Sequence, residues 1–474
     1  WSVPRIEPAG PTNRIRFALS LAACILLGAV FQFSLEIAAP NGLQRWAELY
    51  HGFRTGARIK FDDVPSVITG HATVIASMEP SHVSANPAGW VIVYRALLSF
   101  FDGHPRAAEL VWKKIEPHEL AWCLREMTGT RGVPAADQAA ITVVAIASRL
   151  LALLAGLPIA WLVLQRSGRA AALVACAAVS FVPAAPLVAP VHDTVYMTFA
   201  ALIVALSHYA SERRSWPAAG AAGGLIGVGM LFSLCFVIVA MLCVLMVAFR
   251  AVGGRAPTFR SVLAAAAGWL LVLIVVAGLG NHRPWESWAV NLAKNHEFNA
   301  YSGCTYAKWI GVNPLEFAVA MGIPAVVFLA GRAAAMAGAS VAAKLKPSAP
   351  GGRKGSALLA AWVATILALD LAGTNRGEIC RLWLFLMPIG VAMAVEWVDT
   401  AGRGGRAVVA GFLLLQAFNC VLPARELAIY GPFLPRQIQD QYFDRTGQKW
   451  KDFRRLSEKE IQRRAALHHS ATAD

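Results

Sequence analysis

Residues 139–164 read AAITVVAIASRLLALLAGLPIAWLVL, and Arg149 is the single charged side chain in this run. A helix of about 20 mostly apolar residues crosses the hydrocarbon core of a bilayer, which is roughly 30 Å thick. Comparable runs recur at 15–39, 170–189, 194–209, 217–233, 234–249, 262–279, 315–331, 358–373, 382–397 and 408–422. The pattern predicts an all-α polytopic membrane protein with about 11 transmembrane helices.

The composition agrees with this class. Of 474 residues, 57% are hydrophobic and 15% are charged, and the mean hydropathy is +0.52. Soluble proteins carry about 25% charged residues. The net charge of +15 is typical of some nucleic-acid-binding proteins, but here the Lys and Arg residues lie mostly in short loops rather than on one basic face. We therefore expect the lipid bilayer, and not nucleic acid, as the partner.

Basic side chains fall in alternate loops, and cytoplasmic loops of membrane proteins are rich in such residues. They are Arg5, Arg14 and Arg16 before the first run, then Arg166, Arg169, Arg213, Arg214, Arg250, Arg255, Arg260, Arg332, Lys344, Lys346, Arg353, Lys354, Arg403 and Arg406. We expect a cytoplasmic N-terminus and an outer C-terminus, because the number of runs is odd. The first run could instead be a signal peptide ending near Ala38-Ala39.

Four segments are then expected on the outer side: about 40–138, about 280–314, 374–381 and the basic tail 423–474. Function concentrates in long loops with unusual chemistry. We expect residues 1–422 to form the transmembrane domain of a bacterial inner-membrane protein, with its working site on the outer face.

The first outer segment contains an early acidic pair, Asp62-Asp63, followed by Val64-Pro65. One carboxylate could act in a site, or the pair could simply cap a helix that starts at this point. Further along, Asn86-Pro87-Ala88-Gly89 predicts a turn before a short apolar helix at 91–101. This helix is too short to span, so we expect it to lie along the interface, with Trp90 and Tyr94 at headgroup depth.

This order of features resembles the GT-C superfamily of membrane glycosyltransferases. It looks most like the branch that uses dolichyl- or undecaprenyl-phosphate sugars and includes the protein O-mannosyltransferases and the aminoarabinose transferases. Softer similarities are Ser148-Arg149, His192-Asp193 at the outer start of the fourth run, and the small-residue stretch 224–229. The sequence departs from the branch in two places: Asn86 stands where a His-Pro-Pro box has its His, and residues 104–138 look inserted.

The resemblance implies transfer of a sugar from a polyprenyl-phosphate donor to an acceptor, which is a lipid, a glycan or a protein. Asp62 or Asp63 would be the general base that takes the acceptor's proton. Cations would stabilise the leaving phosphate, and the outer loop 374–381 offers Arg376 and Arg381 for this role. Three further residues are grouped with this implied donor site: Asn86, His192 and Asp193.

The loop 374–381 reads TNRGEICR, with Asn375, Gly377 and Glu378 beside the two arginines. Arginine binds phosphate through a planar fork of donors, so the loop is a candidate phosphate clamp. Glu378 could orient an arginine or help to hold a divalent metal, and no other cofactor is indicated. The alternative is a salt-bridge cluster that anchors two helices.

The second outer loop supplies further candidates for binding phosphate or sugar: His282, Arg283, Lys294 and His296. Trp285 and Trp288 could stack on a sugar or a prenyl chain, or they could be ordinary residues of the interfacial aromatic belt. Cys123 and Cys304 also fall in outer loops and could pair in an oxidising compartment.

The alternative function is a secondary transporter or a lipid flippase. Such proteins show inverted repeats, broken helices and charges near the membrane centre. The sequence shows no repeat, and the runs look nearly free of central ionisable groups, with Asp370 the closest. These features favour the enzyme.

Overall fold

The computed structural model describes residues 11–38, 50–79, 81, 83–115, 134–252, 257–280, 282–301, 305–345, 356–398 and 405–426. Every regular element in these ranges is helical, which confirms the predicted all-α class. The expected tail at 423–474 lies outside the described residues beyond 426, as do both Cys123 and Cys304.

The first half contains α1 (Pro11–Ala38), α2 (Thr55–Lys60), α3 (Val64–Ala76), α4 (Gly89–Gly103), α5 (Pro105–Ile115), α6 (Ala135–Leu153), α7 (Gly156–Leu164), α8 (Arg169–Val179), α9 (Ala184–Val188) and α10 (Val195–Arg213). The second half contains α11 (Trp216–Met230), α12 (Cys235–Val252), α13 (Phe259–Gly280), α14 (Pro284–Tyr301), α15 (Tyr306–Met321), α16 (Ile323–Leu345), α17 (Ser356–Ala372), α18 (Ile379–Leu382), α19 (Met387–Val398) and α20 (Gly405–Glu426). A π-helical turn (Tyr50–Arg54) precedes α2, and a 3-10 turn (His192–Thr194) precedes α10.

The described residues contain six helices long and apolar enough to cross a membrane, which supports an integral membrane protein. They are α1, α6 with α7, α8 with α9, α10, α12 and α13. The expected count of about 11 is not confirmed. Helices such as α11 (15 residues) and α17 (17 residues) are shorter than the roughly 20 residues that a straight crossing needs.

The run expected to span at 315–331 is interrupted. Helices α15 and α16 meet at Gly322 with a bend of 108°, and Gly322 has a φ of +102°, which favours glycine. The Gln416 side-chain amide of α20 donates to the Met321 carbonyl across the break at 2.6 Å. If the bent pair is one broken span, the described residues contain seven candidate spans.

Three arginines from loops expected to be cytoplasmic meet at one end of the bundle, which we call the basic end. Arg166, just beyond α7, contacts Glu396 of α19, and Arg332 of α16 binds the same carboxylate at 2.5 Å. Nearby elements are joined by Arg250 of α12, which binds Glu212 of α10 at 2.6 Å. These contacts agree with the expectation that the loops share one side. The opposite end, which we call the loop end, carries α2 to α5 and α14.

An ion pair inside the bundle fastens α1, whose side chains are otherwise mostly exposed. Arg149 of α6 and Glu36 of α1 are buried and lie 2.5 Å apart. Next to them, Gln32 donates to the Ser180 carbonyl at 2.9 Å. The expectation of spans nearly free of ionisable groups is therefore wrong at Arg149. Its charge can be buried in the bundle because Glu36 matches it across the helix interface.

Glycines allow α11 and α13 to pack with their backbones in contact. A Cβ on Gly223 would lie 1.9 Å from the Ala265 carbonyl oxygen, and a Cβ on Gly268 would lie 2.1 Å from that of Gly220. Contacts advance along both helices together, from Gly220 to Gly227, so the two helices run parallel. Small residues drive association of membrane helices by this close approach.

We expect Gly268→Leu to force α11 and α13 apart, because its side chain would enter the Gly220 backbone. Overpacking of this kind costs about 1–3 kcal/mol or more, and it should lower the thermal unfolding midpoint of the detergent-solubilised protein. The matched control is Gly278→Leu on the same helix, where a Cβ meets nothing within 4 Å. Equal midpoints for the two variants would contradict the close packing.

Candidate functional site

An aromatic layer lies at the loop end, around the 3-10 turn His192–Thr194. The His192 ring centre is 4.5 Å from that of Phe53 and 4.9 Å from that of Trp90. The Trp90 indole donates to the Tyr196 hydroxyl at 2.7 Å, and its ring packs against Phe232 at 5.5 Å. The layer joins the segment expected as the first outer loop to α10 and to the turn between α11 and α12.

The turn and short helix expected after residue 86 are present as α4. Trp90 and Tyr94 are nevertheless buried within the protein instead of lying at its lipid-facing surface. The two rings do not face lipid, because α4 packs against α6 and turns its aromatic face inward. Their position at headgroup depth stays a prediction.

Beside the aromatic layer, Asp193, Glu378 and Arg381 form what we call the arginine cluster. The Arg381 Nη2 atom lies 2.6 Å from the Glu378 carboxylate. Its Nε atom lies 3.5 Å from the Asp193 carboxylate, and this buried Nε has no hydrogen-bond partner among the described residues. The cluster thus brings together two segments that the sequence placed in the same site, although they are far apart along the chain.

The backbone that carries the cluster adopts rare conformations. Gly373, Gly377 and Glu378 have φ angles of +59°, +87° and +54°. The left-handed region costs a residue with a Cβ roughly 1–2 kcal/mol, so Glu378 is held there by its surroundings. The Trp309 ring presses on Gly377, where a Cβ would approach it to 3.0 Å. Such strain is often found at functional positions.

Arg376 and Asn375 contact neighbours of their own. The Arg376 Nε donates to the Gly373 carbonyl at 2.8 Å, and its guanidinium lies over the Tyr306 ring at 5.9 Å. The Asn375 carbonyl accepts from the Asn313 side chain at 3.1 Å. The described contacts of Arg376 thus fix the loop, whereas those of Arg381 face Asp193.

The acidic pair occupies the start of α3. The Asp63 carboxylate accepts from the Ser66 amide at 2.7 Å, and the Asp63 amide donates to the Ser66 hydroxyl at 3.1 Å. These hydrogen bonds lower the pKa of Asp63, and Arg95 adds to the effect. The helix-cap alternative therefore applies to Asp63, while Asp62 is exposed to solvent.

A buried ionic network at the loop end was missed by the sequence reasoning. Arg54 contacts the fully buried Asp137, which Arg58 also binds at 2.5 Å. Arg58 reaches Asp102 at 2.6 Å, and this hydrogen bond raises the pKa of the guanidinium. The spacing of Arg54 and Arg58, four residues apart, was the available signal, since it places both on one helical face.

The segment expected as the second outer loop contains α14. His282 lies close to the Ile68 carbonyl of α3, at 2.6 Å. Arg283, just before α14, pairs with Glu286 at 2.9 Å, and Lys294 pairs with Glu297 within α14 at 3.0 Å. His296 is exposed. None of these described contacts reaches the arginine cluster.

Asn86 contacts α14 through its backbone carbonyl. The side-chain amide of Asn291, on α14, donates to the carbonyls of Ser84 and Asn86 at 2.8 and 2.9 Å. This contact fixes the turn before α4 against α14. Asn86 therefore helps to position the aromatic layer indirectly, through the start of α4.

His71 and His282 face each other where α3 packs against α14. His71 is buried, its Nδ1 lies 3.4 Å from the Ser287 hydroxyl, and its Nε2 has no hydrogen-bond partner among the described residues. Burial lowers the pKa of His71 to about 3, and His282 adds to the effect. Burial also lowers the pKa of His282. Both rings are neutral at pH 7.

These shifts predict that acid weakens the packing of α3. An unfolded His binds its proton near pH 6.5, whereas His71 in the folded protein resists protonation down to about pH 3. The contribution of the neutral His71 ring to the free energy of unfolding is therefore fully present above about pH 6.5. It is lost progressively as the pH falls from there towards about 3. We expect hydrogen-exchange protection factors in residues 64–76 to drop roughly tenfold or more between pH 7 and pH 5.

In His71→Gln this acid sensitivity should be largely lost. His104→Gln is the control, because His104 is exposed at the end of α4, and it should retain the drop. A pH response that is identical in both variants would show that His71 is not its origin.

Comparison with known protein families, with curated proteins and with solved structures finds no match for this chain. Among the described residues, no group of three or more His, Cys, Asp and Glu side chains could hold a metal ion. The site thus consists of a largely buried arginine, two neighbouring carboxylates and an aromatic wall.

Proposed function

We propose that the protein is a membrane glycosyltransferase that moves a sugar from a polyprenyl-phosphate donor to an acceptor at the loop end of the bundle. The supporting observation is the arginine cluster. Arg381 is four-fifths buried, and its Nε, 3.5 Å from the Asp193 carboxylate, makes no hydrogen bond with a described residue. A phosphate oxygen is the ligand that such a guanidinium prefers.

The proposed chemistry divides between two groups. The acceptor oxygen bonds to the anomeric carbon as the bond from that carbon to the phosphate oxygen breaks. Arg381 stabilises the charge that develops on the leaving phosphate. Asp193 and Glu378 hold the guanidinium in place beside the proposed donor phosphate.

Asp62 is the proposed general base. The Asp63 carboxylate already accepts the cap hydrogen bond of α3, whereas Asp62 is exposed beside it and can accept a proton. His192 and Trp90 form an apolar, aromatic wall next to the cluster, which suits a sugar ring. The outer side of a bacterial inner membrane remains the proposed location.

We expect Arg381→Ala to weaken donor binding about 10- to 150-fold, because a charge-assisted hydrogen bond contributes about 1.5–3 kcal/mol. Arg381→Lys should restore part of this loss, since Lys has the charge but not the planar fork. Arg213→Ala is the control, because Arg213 is exposed at the end of α10. Binding of a polyprenyl-phosphate sugar by the purified variants is the measurement, and equal affinities would reduce the cluster to a helix anchor.

Substitutions of the three carboxylates should differ in their effects on kcat and KM. Asp62→Asn should lower kcat about 10²- to 10⁴-fold by removing the base, and Asp193→Asn should chiefly raise the donor KM by releasing Arg381. Asp63→Asn should retain activity, because Asn is as good a helix cap as Asp. If Asp62→Asn turns over normally while Asp193→Asn loses kcat, the base is Asp193.

A second candidate, a lipid flippase or secondary transporter, is favoured by the break between α15 and α16. Discontinuous helices are typical of transporters, in which the broken ends bind ions or substrate. The two functions differ in what happens to a lipid-linked sugar in reconstituted vesicles. A transporter moves it between leaflets intact, whereas the proposed enzyme consumes it and releases the lipid phosphate.

A further inference from the structure

A half-open cleft of about 250 Å³ lies at the loop end, away from the arginine cluster. It is bounded by α3, α4, the turn between α11 and α12, α13 and α14. Its wall is apolar, with Ile68, Ile92, Leu231 and Val276 among its residues. His282 and Trp288 supply its polar groups.

The cleft is separated from the arginine cluster by the aromatic layer. The Gly89 amide donates to the Leu231 carbonyl at 2.8 Å, and a Cβ on Gly89 would lie 2.6 Å from that oxygen. Gly89 and Leu231 line the cleft, while the next residues, Trp90 and Phe232, pack together. A chain in the cleft is thus divided by this layer from the chain of a lipid held by Arg381.

The cleft opens towards the side of the bundle that is expected to face lipid. Helix α13 is long and apolar enough to span, and only 6% of its most apolar stretch is buried. Val275 lines the cleft and is 44% exposed, five residues before the helix ends at Gly280. The cleft therefore lies near the boundary between hydrocarbon and water, where a lipid chain could enter sideways.

The shape and chemistry of the cleft suit an apolar chain with a hydroxyl near one end. An apolar cavity of about 150 Å³ admits benzene, so this larger one can hold a segment of hydrocarbon. The neutral His282 ring donates from Nδ1 to the Ile68 carbonyl, which leaves Nε2 as an acceptor. A hydroxyl group can donate to that nitrogen.

We propose that this cleft binds the hydrocarbon chain of the acceptor, and that the acceptor is therefore a hydroxyl-bearing lipid. This inference rests on the proposed glycosyltransferase function. The donor's phosphate occupies Arg381 on one side of the aromatic layer, so its chain enters the membrane there, and the cleft on the other side receives a second lipid.

The test uses a long-chain alcohol with a photoreactive diazirine in its chain, added to the full-length protein in nanodiscs. Ile92→Trp and Leu231→Trp fill the cleft. Ile274→Trp is the matched control, because Ile274 is 65% exposed on α13 and is not part of the cleft wall. We expect labelling to map to peptides containing Ile92 and Leu231, and to fall about tenfold or more in the two filling variants.

Labelling that is undiminished in the filling variants, or no stronger in the cleft than at exposed Leu271 on α13, would overturn the proposal.

A transfer assay with two acceptors adds a second readout. The filling variants should raise the KM for the long-chain alcohol and leave the KM for the polyprenyl-phosphate donor unchanged. Transfer to a soluble peptide or glycan at full rate in these variants would overturn the lipid acceptor while upholding the transferase.

Failure of the proposed function gives a different result. If no acceptor is glycosylated, and if Arg381→Ala binds the donor as tightly as the wild type does, the proposed transferase function is wrong. Chain labelling is measured without turnover, so it is judged separately. Replacing the alcohol probe by the matching alkane completes the design: His282→Phe should reduce labelling by the alcohol and spare labelling by the alkane.

Discussion

A charge buried between membrane helices must meet its counter-charge, because removing one partner of such a pair costs about 3–5 kcal/mol. The described bundle obeys this constraint at three levels. Arg149 meets Glu36 inside the bundle, Arg166 and Arg332 share Glu396 at the basic end, and Arg54 meets Asp137 at the loop end. Each pair joins elements distant in the chain, so ion pairs fix how the helices are arranged where apolar packing alone is not selective.

Arg381 differs from these arginines in a way that matters for function. The arginines named above pair with carboxylates on other elements, whereas the closest partner of Arg381 is Glu378, three residues before it. That pair adds little to the fastening of the fold, and its contact with Asp193 is long. The left-handed backbone at Glu378 opposes folding. An arrangement that costs strain and fastens little is better explained by a ligand than by stability.

The sequence predicted the parts of the fold that depend on local composition. Apolar runs, basic loops, the turn before α4 and the division between α11 and α12 could all be read from it. It could not predict the break at Gly322, because an apolar run with one glycine reads as a continuous helix. The close packing of α11 on α13 could not be predicted either, because it depends on how the two helices are aligned with each other.

In the site, Asp193 and Arg381 were both singled out, but their contact depends on how α10 and α18 are brought together. The role of Asp137 was hidden for the same reason: its two arginine partners, Arg54 and Arg58, lie 83 and 79 residues earlier in the chain.

The aromatic layer connects these observations. Trp90 is held by the Tyr196 hydroxyl and by Phe232, and His192 is held between Trp90 and Phe53. Since Asp193 follows His192 in the same turn, movement of the layer would move the carboxylate that faces Arg381. Since Gly89 precedes Trp90, the same movement would alter the floor of the cleft. Under the proposed function, the layer would keep the two lipids apart and would also connect their sites. Only a small reacting group would have to pass its edge, while both chains stay in the membrane.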